Sequence, residues 1–181
     1  MKEIRIHGRG GQGGVTAAGI IGGAAVKEGK YAQAFPAFGA ERRGAPVLSF
    51  TRISDTPIRN RSQVYHPDIV IVFDEGLLTT VDVSAGIKEN GMIIINTEKK
   101  PEDFAFKNPA QVVTVDATSI SLNALGRPIV NTTILGTLCA ATDVIQLAFL
   151  KDAVKEQFGG SLGEKNVKAL EEAYKQYKGG A

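Results

Sequence analysis

The opening of the chain constrains its fold most. Ile4-Arg5-Ile6-His7 reads as a short strand that runs straight into Gly8-Arg9-Gly10-Gly11-Gln12-Gly13-Gly14. Val15 to roughly Glu28 then carries the Ala- and Ile-rich character of a helix, with Gly29 as its stop. Strand, glycine loop and helix together start a βαβ unit. Gly8, Gly10 and Gly13 fit G-x-G-x-x-G in the one context where that spacing carries meaning. Its physics is a tight turn, a bare backbone that a phosphate can approach, and a helix N-terminus worth roughly +0.5 charge. Arg9 inside the loop favours an anionic ligand. The chain has 21 glycines in 181 residues, roughly 12% against a typical ~7%, and they crowd before Ala45. Gly19, Gly22 and Gly23 lie within the helix, each costing up to ~1 kcal/mol against Ala, which suggests close packing on the sheet or on a partner.

The ligand class stays open at this point. A dinucleotide site expects an acid about 20 residues on, at the end of the second strand. That neighbourhood reads Ala32-Gln33-Ala34-Phe35-Pro36, with no carboxylate. The loop also lacks the Gly-Lys-Ser/Thr ending that ATP hydrolysis on a Walker loop requires. Glycines serving tight packing alone remain an alternative.

The rest of the chain alternates strands and helices. Tyr31 to Phe35 and Pro46 to Ile53 read as strands. Ile69 to Phe73, Met92 to Asn96 and Val112 to Asp116 read as strands buried on both faces. A helical stretch is expected from Asp74 to about Glu89, and another from Asp116 to about Gly126, with N-caps in Asp116-Ala117-Thr118-Ser119. An apolar helix from Thr132 to about Phe149 precedes two amphipathic ones, Lys151–Phe158 and Glu164–Tyr177. The fold class is α/β: one Rossmann-like domain over residues 1–181, with a mainly parallel open sheet flanked by helices.

Composition removes several functions. Lys+Arg 21 against Asp+Glu 19 gives a net charge of +2, too weak to imply nucleic acid or an anionic membrane. No stretch approaches the ~18 uninterrupted apolar residues of a membrane span, and MKEIRIHG does not read as a signal peptide, so a cytoplasmic location is expected. One cysteine, Cys139, and two histidines, His7 and His66, rule out a self-contained iron–sulfur cluster and a four-cysteine zinc site, and neither histidine has a second ligand in metal spacing, so no metal is expected on this chain. Cys139, in an apolar helix with no basic neighbour in sequence, is expected to be a buried, inert thiol. Asp74 and Glu75 read as acids at a helix N-terminus. No Ser-His-Asp arrangement or acid–base pair is visible, so catalytic residues are not assigned.

A second candidate site is Phe38-Gly39-Ala40-Glu41-Arg42-Arg43-Gly44. Arg42 and Arg43 between glycines can clamp a phosphate or carboxylate, and Glu41 can orient one of them. A solvated turn with surface ion pairs is the plainer reading of the same residues.

Taken jointly, these segments resemble a known family. Arg5-Ile6-His7-Gly8-Arg9-Gly10-Gly11-Gln12-Gly13 followed by Phe38-Gly39-Ala40-Glu41-Arg42-Arg43-Gly44-Ala45-Pro46-Val47 looks like the gamma subunit of 2-oxoacid:ferredoxin oxidoreductases. Pro67-Asp68-Ile69-Val70-Ile71-Val72 and Asn131-Thr132-Thr133-Ile134-Leu135-Gly136 match as well, so the resemblance runs along essentially the whole chain. Glu41 to Pro46 looks most like the pyruvate and branched-chain 2-ketoacid branches, although Ala40 stands where such relatives often carry Pro.

The resemblance implies a multi-subunit enzyme that decarboxylates a 2-oxoacid, most simply pyruvate, on thiamine diphosphate. It passes electrons through iron–sulfur clusters to ferredoxin and releases acyl-coenzyme A. It also implies that thiamine diphosphate and the clusters sit on alpha, beta and delta-type partner subunits, with ferredoxin as acceptor. Coenzyme A then becomes the expected ligand of Arg9, Gly10, Gly11, Gln12 and Gly13, together with Glu41, Arg42, Arg43 and Asn131. An interaction subunit that binds no small molecule, and a free-standing dinucleotide oxidoreductase, are the competing expectations.

Overall fold

The computed structural model describes residues 1–37, 43–108 and 110–179. One six-stranded sheet organises them: β1 (Lys2–Arg9), β2 (Tyr31–Pro36), β3 (Pro46–Ser54), β4 (Ile69–Val72), β5 (Met92–Asn96) and β6 (Gln111–Val115). Their spatial order is β2-β3-β1-β4-β5-β6. β1, β4, β5 and β6 run parallel, and β3 is antiparallel to both β1 and β2, so β3 alone is reversed. The mainly parallel sheet is thus as expected. The order is not that of a dinucleotide fold, because β3 separates β1 from β2.

Five α-helices follow: α1 (Gly14–Lys27), α2 (Ala117–Leu125), α3 (Val130–Ala141), α4 (Leu147–Phe158) and α5 (Gly160–Gly179). All five bury side chains in one core with Ile4, Ile6, Ile69, Ile71 and Ile94. The alternate strand residues Val70, Val72, Ile93 and Ile95 face the other way. They are covered by irregular chain carrying Val83, Ile87, Phe104 and Phe106. The central strands are therefore apolar on both faces, as their continuous hydrophobic runs require.

Two expected helices take a different form. Beyond Asp74 there is only a short 3₁₀ helix, Glu75–Thr79, and no helix reaches Glu89. The Asp82 carboxylate accepts from the Ser84 backbone N–H and hydroxyl at 3.1 and 2.7 Å, a local pairing that competes with helical bonds. The apolar helix expected over Thr132–Phe149 breaks after Ala141. Thr142 donates its hydroxyl back to the Leu138 carbonyl at 2.7 Å, and Cys139 Sγ donates to the Ile145 carbonyl at 3.0 Å across the break. The next helix consequently starts at Leu147 rather than Lys151, and α5 is longer than the expected Glu164–Tyr177.

Close backbone approach is concentrated where α3 crosses α5. A Cβ added at Gly136 would lie 2.0 Å from the Leu170 carbonyl oxygen and 3.0 Å from the Tyr174 nitrogen. Of the four glycines in α1, Gly14 and Gly22 face the sheet, where a Cβ would lie 3.0 Å from Ser49 Oγ and 3.4 Å from Ala34 Cβ, while Gly19 and Gly23 meet nothing within 4 Å. Gly136→Ala is predicted to destabilise the chain by about 1–3 kcal/mol and to lower its thermal midpoint by several degrees. An unchanged midpoint in a denaturation series would contradict the close α3–α5 crossing.

Candidate functional site

The parallel strands end on one side of the sheet, and the order reverses direction between β1 and β4. Ligands of open α/β sheets bind at such a point. Here the loop after β1 meets the 3₁₀ turn after β4, the end of β5 and the N-terminus of α2. Gly11, Gln12, Asp74, Asn96, Thr118 and Ile129 line a cleft of about 460 Å³ between them.

The glycine loop is held in one conformation. Gly10 N–H donates to the Ala45 carbonyl at 2.9 Å, Gly44 N–H donates to the Gly10 carbonyl at 3.1 Å, and Gly10 bridges Arg43. Gln12 Oε1 accepts the Arg9 N–H at 2.7 Å, and Gln12 N–H returns to the Arg9 carbonyl at 2.9 Å. Gly13 then caps α1 with φ 78°. A Cβ there would sit 2.4 Å from Asn131 Nδ2, so the position requires glycine on both conformation and space. α1 starts without a side-chain cap, which leaves the N–H groups of its first turn for an external acceptor.

Asn131, expected to contact the ligand, lies in the first turn of α3, where it is buried and faces inward. Its Nδ2 donates to the Gly13 carbonyl at 3.3 Å, and its Oδ1 accepts from Thr132 N–H at 2.9 Å. It fixes the two helix N-termini relative to each other. Arg9, expected to face a ligand, donates from Nε to Asp74 Oδ2 at 2.6 Å and from Nη1 to the Gly44 carbonyl at 3.3 Å. Both partners of that ion pair remain about one-third exposed. Asp74 also accepts the Gly76 N–H at 2.8 Å and so caps the 3₁₀ turn, the N-terminal role expected of it. Neighbouring Glu75 is held below the usual carboxylate range by Lys99 and by the Thr97 hydroxyl. Arg43 is exposed at the start of the segment that clasps Gly10. Glu41 and Arg42 lie outside the described residues.

Three features carried no signal in sequence. Asn96 ties the cleft rim together: its Nδ2 donates to the Phe73 carbonyl and meets Thr118 Oγ1, both at 3.0 Å. Arg5 and Arg52 are buried in the sheet. Arg5 donates to the Val83 and Ala85 carbonyls at 2.9 and 2.7 Å and from Nε to His7 Nε2 at 3.0 Å. An interior arginine pair on strands cannot be told from an exposed one by strand periodicity alone.

Cys139 is the buried thiol expected, pushed up to about 11 chiefly by burial. Among the described residues no group of three His, Cys, Asp or Glu side chains is placed to hold a metal ion. With one cysteine in the sequence, Cys139, the chain carries too few thiolates to ligate an iron–sulfur cluster by itself. No helix is long and apolar enough to cross a membrane, among the described residues.

A family model described as pyruvate ferredoxin/flavodoxin oxidoreductase matches residues 3–176. The chain belongs to that family. It is 58% identical over 177 residues to the pyruvate/ketoisovalerate oxidoreductases common subunit gamma of Thermococcus kodakarensis, covering 96% of each. The crystal structure of pyruvate oxidoreductase subunit PORC from Thermotoga maritima superposes with a TM-score of 0.84 at 36% identity, covering 96% of this chain and 95% of that one. The 2-oxoglutarate:ferredoxin oxidoreductase of Magnetococcus marinus shares the fold, with a TM-score of 0.80 at 18% identity. There the likeness spans 98% of this chain but 31% of the other. This family member is a gamma-type subunit of a multi-subunit oxidoreductase, and the resemblance first carried by its glycine and arginine segments is borne out.

His7, at the end of β1, gives the family member a built-in acid sensitivity. Burial first, and the Arg5 cation second, push it down from 6.5 to about 3. The native chain keeps it neutral while the unfolded chain takes up a proton below about 6.5. The unfolded state thus binds more protons in that window, and stability falls as pH drops from about 6.5 toward about 3. His7→Gln is predicted to flatten this part of the curve of denaturant midpoint against pH. An equally steep decline in the variant would contradict the assignment.

Proposed function

We propose that residues 1–181 act as one gamma-type catalytic domain in the oxidative decarboxylation of a 2-oxoacid, with pyruvate as the favoured substrate. The complex releases carbon dioxide, passes the electron pair to ferredoxin, and transfers the acyl group to the coenzyme A thiol as acetyl-CoA. Thiamine diphosphate and the iron–sulfur clusters belong to alpha, beta and delta-type partners in this reading. The names of the relatives, pyruvate/ketoisovalerate and pyruvate oxidoreductases, support the substrate class.

This chain's own contribution is to receive coenzyme A beside its glycine loop. The observation that carries this is the uncapped α1 N-terminus behind a backbone clamped at Gly10 and Gly13, on the edge of the β1–β4 cleft. Clamped N–H groups at a helix N-terminus suit a pyrophosphate and need little reorganisation to bind it. Arg43 and Arg42 would supply the positive charge that Arg9 shares with Asp74, with Glu41 orienting one of them. The Magnetococcus marinus enzyme is named with coenzyme A and succinyl-CoA bound. A free-standing dinucleotide oxidoreductase fits poorly, because β2 ends two strands from β1 and carries no acid. A soluble location accompanies this reading.

Titrating coenzyme A into the assembled complex tests it. Arg42→Ala with Arg43→Ala is predicted to weaken binding about tenfold or more, since each charge-assisted contact is worth ~1.5–3 kcal/mol. Unchanged affinity in the assembled double variant would remove these arginines from the ligand site. No coenzyme A binding by the wild-type complex at this chain would favour a purely structural subunit.

A further inference from the structure

The face of the sheet away from the α-helices carries a segment whose backbone is pinned and whose charges are not. Between Asp55 and Asp68 the chain contains no carboxylate but has Arg59 and Arg61. Three carbonyls of this stretch accept bonds from the sheet. Gln33 Nε2 donates to Ile58 at 3.3 Å, and Arg52 donates to Asn60 at 3.4 Å and to Gln63 at 3.2 Å. Arg52 is completely buried, pairs with Glu3 at 2.9 Å, and lies 5.3 Å over the Phe35 ring. At the far end Val64 is buried, and His66 Nδ1 lies 3.2 Å from the Gly86 carbonyl.

Burying a guanidinium is costly unless its donors are satisfied. Here two of its partners are loop carbonyls, so the cost is offset only in this loop conformation. The loop is therefore pre-ordered. Its side chains tell the opposite story: Arg59 and Arg61 are exposed, Tyr65 is 64% exposed, and among the described residues neither arginine has a carboxylate within ion-pair distance. Arg and Tyr on a pre-ordered backbone are the composition of binding hot spots, because little ordering entropy remains to be lost.

We propose that Ile58–Tyr65 docks an acidic segment of a neighbouring subunit of the oxidoreductase, with Arg59 and Arg61 as its charge-pairing anchors. The proposal rests on the reading of this chain as a working part of a larger complex. A carboxylate-bearing partner is selected over an apolar one because the exposed groups are two guanidinium ions, unpaired among the described residues and suited to bidentate carboxylate contacts.

The test uses the whole complex, carrying either wild-type chain or Arg59→Glu with Arg61→Glu. The fraction of gamma chain retained is followed by native mass spectrometry through a salt titration. Thermal midpoints of the isolated chains confirm that the variant folds. The expected result is a wild-type complex that loosens with salt and a variant retained at least about tenfold less at low salt. Arg59→Gln with Arg61→Gln should fall between them. Equal retention of variant and wild type at every salt concentration would overturn the proposal while leaving the subunit reading intact. A variant that assembles normally but reduces ferredoxin more slowly would also overturn it, assigning the arginines to the electron acceptor. A wild-type chain that purifies without partners would overturn both readings.

Discussion

The missing Cβ at Gly13 is the constraint on which the rest of the site depends. It lets Asn131 approach so closely that the N-termini of α1 and α3 share one side-chain amide. Any larger residue would separate the two helices at the mouth of the sheet and lose the left-handed cap that turns the loop into α1. The second tie at the mouth is Arg9 with Asp74, which joins the ends of β1 and β4. Between the two ties lie the cleft and the uncapped first turn. The site is thus pre-shaped by contacts that do not themselves require a ligand.

The two faces of the sheet solve different problems. The helical face buries Ala- and Ile-rich α1 and the α3–α5 crossing, where backbone contact replaces side-chain bulk. Among the described residues the other face has no α-helices, and its irregular cover leaves carbonyl groups that a sheet cannot pair. Arg5 and Arg52 supply the donors. Buried guanidinium groups with several N–H donors act here as brackets for non-repetitive backbone, a role that apolar residues could not fill.

Much of this was legible in sequence, and for identifiable reasons. The strand–glycine loop–helix unit, the buried β4 and β5, and the Asp116 cap of α2 all announce themselves through local pattern and cap chemistry, whereas β6, expected to be buried on both faces, is an edge strand that buries only Val113 and Val115. The break near Thr142 and the loss of helix after Thr79 did not, because short side-chain bonds from Thr142 and Asp82 override apolar periodicity. The reversal of β3 and its insertion beside β1 are tertiary choices with no period-two signature. Glycine spacing marked the turn that joins β1 to α1. The pairing of Arg9 with Asp74 and the inward turn of Asn131 depend on contacts between residues 65 and 118 positions apart.

The chain therefore holds a hydrogen-bonded glycine loop ahead of an uncapped helix, on the scaffold of a gamma-type oxidoreductase subunit. Hydrogen exchange on the assembled complex, with and without saturating coenzyme A, tests this most directly. Marked slowing at the amides of Gly11 through Thr16, with little change at the far ends of β1 and β4, is the predicted result. Coenzyme A binding that leaves those amides untouched would contradict the account.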